Sequence, residues 1–262
     1  MKCMQRVEQD SMVFYQSDLF KAFPNVIHAV TTRHGGVSPA PFDSLNLSSH
    51  VGDSPDNVME NMERFHRALG LERRTTVDAH QAQADRVARV TVAERGTRIQ
   101  GVDGLITNLR GIPLMLRYAD CVPILLYDPT HQAIGIAHAG WRGTVGKIVT
   151  NTVKAMQDAF GTEPSQLITA IGPSIGPCCY EIGADVRERV EAAFAGKNEL
   201  LLARNGTLHL DLWQANAVQL RALGVEQIDV AGVCTADHTD DFYSWRREQA
   251  KTGRFAAVIA LR

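Results

Sequence analysis

The chain has 262 residues, is 45% hydrophobic and 21% charged, and carries a formal charge of −2. A chain of that length buries enough surface to fold without covalent staples, and the composition excludes global disorder. No Lys/Arg run exceeds two residues, so the basic stripe of a nucleic-acid binder is missing, and no apolar stretch is long enough to span a bilayer.

Five cysteines, with Cys178 and Cys179 adjacent, do not form a disulfide framework and fit a reducing compartment. The segment MKCMQRVEQDSMVFY lacks the apolar centre of a signal peptide. We expect a cytoplasmic protein, monomer or small homo-oligomer, with no nucleic-acid or membrane partner. Residues 1–262 are expected to form one domain, with 1–25 as a lead-in.

In chain order, VIHAVTTR (Val26 to Arg33) predicts a strand that turns at Gly35-Gly36. A polar loop with three prolines follows, from Ser38 to Asn57, long enough to suggest a functional role. Ser54-Pro55-Asp56 starts a helix whose apolar spacing runs through Val58, Met62, Phe65 and Leu69 to Gly70. Val87 to Val92 alternates as a strand. GIPLMLRYADCVPILLYDP holds two apolar runs around Ala119-Asp120-Cys121, and Ala133 to Ala137 is a further buried strand. Past Gly140 and Gly143 a helix runs to about Phe160. Strands are predicted at Leu167–Ile171, Ile228–Val233 and Phe255–Ala260, and helices at Ala184–Phe194 and Asp211–Leu223. Strict βαβ alternation is absent, so the expected fold is a layered α/β sandwich with a mixed β-sheet.

Cys121 and His138 each lie at the end of a buried strand, where a rigid scaffold delivers side chains to a cleft. A thiolate and an imidazole suit zinc or another borderline metal, and equally a Cys–His nucleophilic pair. Gly140 and Gly143 would let backbone amides approach an anion, and the Arg142 guanidinium would pair with phosphate. Cys178-Cys179 has no CxxC partner, so a second metal site is not expected.

Together, TTRHGGVS, SLNLSSHVGD, DGLITN, ADCVPILLYDP, AHAGWRGTVGKIV, IGPSIGPCCYEIG, CTADHTDDFYSWRR and TGR resemble the laccase-domain family, once labelled multicopper polyphenol oxidase. The resemblance runs from about Val26 onward. It implies a purine nucleoside phosphorylase acting on adenosine, inosine and methylthioadenosine, with adenosine deaminase activity, whose partners are a purine nucleoside and phosphate. It also implies zinc, with copper as the alternative, held by a His, a Cys and a second His.

Cys121 takes the Cys position and His138 the second His. At the first His position, in QAQADRV, this chain has Gln83, with Ala84 where the family has Gly. His80, three residues earlier, is a substitute only if a bulge corrects its face. Within the family reading, residue type and position put Arg142 and Arg33 on phosphate and Asn46 on the substrate. Two other readings stay open: a metal-free cysteine hydrolase or transferase using Cys121 and His138, and a non-catalytic nucleoside-binding member. Copper oxidase chemistry fits least, because the nine histidines form no His-x-His pair.

Overall fold

The computed structural model describes residues 4–262. Two mixed sheets pack face to face, and helices cover their outer faces. The expectation of a layered mixed α/β fold holds, with two large sheets rather than one.

The seven-stranded sheet has the order 4–9, 12–17, 26–31, 255–261, 114–118, 77–80, 98–100. The strand Phe255–Leu261 lies antiparallel between Val26–Thr31 and Leu114–Tyr118. The six-stranded sheet has the order 227–230, 168–171, 122–128, 133–139, 104–107, 87–89. A small third sheet joins Glu181–Ile182, Thr207–Leu210 and Leu201–Arg204.

Period-2 alternation sets these layers. In Phe255–Leu261, Phe255, Ala257, Ile259 and Leu261 face the space between the large sheets, while Ala256 and Val258 face the helix Pro55–Ala68. In Val122–Asp128, Leu125 and Tyr127 point between the sheets; Val122, Ile124 and Leu126 point to the helices Ile148–Phe160 and Leu212–Ala222. Both strands are buried throughout, which explains why they read as unbroken apolar runs. Gly135 lets the long helix settle closely, since a Cβ there would sit 3.0 Å from Met156 Sδ.

Several elements differ from the sequence expectation. Within the 1–25 lead-in, residues 1–3 lie outside the described residues, but Met4–Gln9 and Met12–Ser17 form a hairpin at the edge of the larger sheet. Asp10 and Ser11 make its turn with positive φ, so no glycine signalled it. The helix after Gly140 is two pieces, Trp141–Val145 and Ile148–Phe160, broken where Lys147 adopts φ 65°. The strand expected over Val87–Val92 ends at Arg89.

The long polar loop is ordered from below by one residue of the first helix. Buried Asn61 donates to Ser38 Oγ, Ser44 O and Asn46 O at 2.9, 3.1 and 3.0 Å, and accepts from the Val37 amide at 2.8 Å. Truncation strands these groups in a dry setting. Asn61→Ala is expected to lower unfolding free energy by about 2–4 kcal/mol, read from urea denaturation. A loss below 0.5 kcal/mol, the scale of a surface substitution, would show that the loop is held otherwise.

Candidate active site

His138 continues the inward face of its strand after Ile134 and Ile136, at the end of the core between the sheets. Its ring packs against Tyr118, with centroids 5.4 Å apart, and is only 5% exposed. His138 Nδ1 lies 2.7 Å from Asp103 Oδ1, and its backbone amide donates to Asp103 O at 2.8 Å. Both backbone and ring are therefore fixed to one residue.

The same carboxylate holds the chain around Gln83. Asp103 accepts from the amides of Ala82, Gln83 and Ala84 at 3.0, 3.2 and 2.8 Å. Burial works against its ionisation, but His138 and these amides outweigh it and hold the carboxyl below its usual range. Gln83 adopts φ 56°, and its amide nitrogen reaches to 4.0 Å from Cys121 Sγ. Gly140 lies beneath both: a Cβ there would stand 2.8 Å from Cys121 Sγ and 3.1 Å from Gln83 Oε1. Gly143 is buried, and a Cβ there would stand 3.2 Å from His138 O and 3.5 Å from Ala84 O.

Cys121 follows Asp120, which adopts φ 84°. Asp120 accepts from Thr235 Oγ1 and the Arg246 amide, each at 2.7 Å, and its carbonyl accepts from the Ile175 amide at 2.9 Å. Burial pushes its carboxyl up despite these donors. Asp120 thus ties two loops to the Cys121 corner. The Cys121 sulfur stands close enough to the His138 ring to act on its charge. Desolvation lowers the imidazole, but Cys121 and Asp103 outweigh it and raise it to about 9.

These groups line a cleft of about 620 Å³. Three arginines in it stack on aromatic rings: Arg142 on Trp141 at 4.4 Å, Arg246 on Tyr180 at 5.1 Å and Arg254 on Trp245 at 5.3 Å. Arg98 and Arg117 also line it but are paired with Asp78, at 2.8 and 2.6 Å. Arg246 and Arg254 donate instead to backbone carbonyls, which leaves their charge for the cleft. A near-neutral chain has thus concentrated cations and flat aromatic faces at one place.

Of the residues singled out from sequence, Cys121, His138, Gln83, His80 and Arg142 all line this cleft. His80 is exposed at a strand end, its ring 6.1 Å from that of His50, and Gln83 is the residue beside Cys121. Asn46 does not reach the cleft. It is fully buried, bonds Asp53 and Ser48, and accepts from the Arg254 amide at 2.9 Å. Through that bond it positions the backbone of Arg254. Arg33 lies elsewhere, stacked on Tyr243 and bound to Asp43, Thr239 O and Glu248, so its donors are engaged. Sequence reasoning gave no site role to Asp103, Arg246, Arg254 or Trp245. Asp103 opens the DGLITN motif and the arginines sit in WRR and TGR, but no local pattern shows that these segments converge.

Cys121 and His138 are donors that zinc accepts, and a carboxylate on the far imidazole nitrogen is the usual support for such a ligand. The third position is a carboxamide. Among the described residues, the group of three or more His, Cys, Asp or Glu side chains close enough to share a cation lies outside this cleft. The residues present therefore do not complete the three-donor set expected from the resemblance.

Two outcomes follow. Gln83→His adds a nitrogen donor at a position whose φ histidine tolerates. Dialysed variant is expected to retain more metal than wild type by elemental analysis; equal content would mean the pocket cannot direct that ring at Cys121. The second concerns pH. A group whose folded pKa is raised favours the folded state at low pH. His138 contributes fully below about 6.5, and the contribution is lost as pH rises through about 9. The urea midpoint should fall more steeply across that interval in wild type than in His138→Gln; parallel curves would remove His138 as the cause.

Comparison with known proteins agrees with this architecture. The family model described as multi-copper polyphenol oxidoreductase laccase matches residues 27–262. The chain is 38% identical over 250 residues to purine nucleoside phosphorylase YlmD of Bacillus subtilis, covering 90% of this chain and 89% of that one. It is 42% identical over 236 residues to a purine nucleoside phosphorylase of Deinococcus radiodurans, covering 90% and 89%. The crystal structure of YlmD from Geobacillus stearothermophilus superposes over all of both chains with a TM-score of 0.93 at 36% identity. That of YfiH from Bacillus licheniformis gives 0.93 at 31%, again over all of both chains. The chain belongs to the multi-copper polyphenol oxidoreductase laccase family.

Proposed function

We propose that the cleft cleaves purine nucleosides with phosphate, taking adenosine, inosine and methylthioadenosine, with deamination of adenosine as a side reaction. The observation that carries this reading is the ring of three arginine–aromatic pairs around Cys121 and His138. Guanidinium groups bind phosphate, and aromatic faces accept a purine. Relatives named purine nucleoside phosphorylase support it.

The C1′–N9 bond breaks and its electron pair leaves with the base, while a phosphate oxygen bonds to C1′. Arg142, Arg246 and Arg254 hold the phosphate, and Trp245 or Tyr180 stacks the base. His138, kept protonated by Asp103 and Cys121, supplies a proton to the departing purine. The proposed cofactor is zinc, or copper; because Gln83 replaces the third donor, no step here is routed through it.

A second reading has its own observation. Cys121, His138 and Asp103 stand in the order of a nucleophile, base and orienting carboxylate. On that reading Cys121 attacks an acyl or related electrophile without metal.

The test is incubation with adenosine, inosine or methylthioadenosine, with and without phosphate. Phosphate-dependent release of adenine or hypoxanthine is expected, and inosine formed from adenosine without phosphate scores the deaminase. Arg254→Ala should raise KM for phosphate about tenfold or more, the scale of one lost charged hydrogen bond. No base release, together with inactivation of an esterase activity by iodoacetamide at Cys121, would replace the phosphorylase reading with the cysteine one. Nucleoside binding without any turnover would make the chain a binding member.

A further inference from the structure

The adjacent cysteines, which sequence spacing left without partners, meet two more donors in the fold. The ligand atoms of Cys178, Cys179, Cys234 and Asp237 all lie within 4.8 Å of one another. We propose that these four side chains bind one thiophilic divalent cation of the zinc class, which staples together the two loops that wall the cleft.

The donor set argues for the ion. Three sulfurs and one carboxylate oxygen make four ligands, the number a closed structural zinc site uses. Tetrahedral zinc with sulfur at about 2.3 Å places its donors about 3.8 Å apart, so the present spread needs an inward shift of about 1 Å or less. The order of the ligands fits too. Cys178 and Cys179 come from one loop, Cys234 and Asp237 from another at a spacing of three, and the bridge between Ser174 and Cys234 already brings the loops side by side.

The surroundings are built rather than incidental. Cys234 is buried, and its sulfur accepts the Gly176 amide at 3.2 Å, the kind of outer hydrogen bond that supports a metal-bound thiolate. Gly176 also makes the turn that presents the pair: its carbonyl accepts the amides of Cys179 and Tyr180, both at 3.0 Å. A Cβ on Gly176 would meet Trp213 at 2.6 Å and Cys178 Sγ at 3.1 Å, so this turn requires glycine. Cys179 Sγ donates to Asp237 Oδ1 at 2.9 Å, an arrangement in which a cation can replace the thiol proton. Arg247 Nη2 stands 3.9 Å from the same oxygen and is the nearby positive group that must yield. Cys178 is exposed and gives the ion a path in.

The consequence reaches the cleft without entering it. The first loop supplies Ile175 and Tyr180 to the lining, and the second leads to Trp245 and Arg246. Asp120 grips both loops from the Cys121 side; the cation would grip them from the far side. This role does not depend on what the cleft does chemically.

Cobalt replaces zinc and reports thiolate ligation through a charge-transfer band. Full-length protein, reduced and dialysed against chelator, would be titrated with Co²⁺ as Cys121→Ala and as Cys121→Ala/Cys178→Ser/Cys179→Ser, so that the Cys121 thiol contributes to neither signal. One equivalent with a sulfur charge-transfer band is expected in Cys121→Ala, and its loss when the two serines are added. Zinc should also raise the melting midpoint of Cys121→Ala by about 5 °C or more, and that of the triple variant by none. A band that survives in the triple variant, or that is absent from Cys121→Ala, overturns the assignment. So does an intact mass two hydrogens low with no cobalt bound, which would make the pair a disulfide.

Discussion

The Asp103 carboxylate is the constraint on which the site depends. One buried anion receives three successive amides from the Ala82–Ala84 turn and the Nδ1 side of His138. Those contacts are what make a buried charge tolerable, because each lone pair has a donor. They also convert two distant segments into one rigid wall. Residues 82–84 have no regular hydrogen-bond ladder of their own, and the carboxylate is what gives their amides a protein partner.

Around that anchor the molecule separates tasks by layer. The space between the sheets is apolar until its end, where the alternation that points Ile134 and Ile136 inward delivers His138 next. The outer faces carry the helices and impose no chemistry. Loops then close over the open end, with Asp120 as their fastening. The positive φ at Asp120 is a local cost that these hydrogen bonds offset, and the next side chain, Cys121, sits where the core meets the cleft.

Much of this was legible in the residues. Phe255–Leu261 and Val122–Asp128 are read as strands because burial on both faces leaves an apolar run. Pro55–Ala68 is read as a helix because Ser54-Pro55 and Gly70 bracket a 3.6-residue pattern. Cys121 and His138 stand out because each ends such a run. The hairpin at 4–17 was not legible, since Asp10 and Ser11 turn without glycine. Asn46 and Arg33 were assigned to substrate by residue type, yet the fold spends one on Arg254 and the other on Glu248 and Asp43. The Cys178–Cys234 encounter spans two loops, and no periodicity encodes contacts between irregular segments.

The position of Phe255–Leu261 also bears on how the chain is made. This strand sits in the middle of the larger sheet, yet its partners at 26–31 and 114–118 leave the ribosome well before it. Until residue 261 emerges, those two strands each present an unpaired edge and half of a hydrophobic layer to solvent or to a chaperone. The core between the sheets can close only after that insertion. Synthesis, not only sequence distance, therefore orders the assembly: the core is completed by the very segment that arrives after nearly everything it must join.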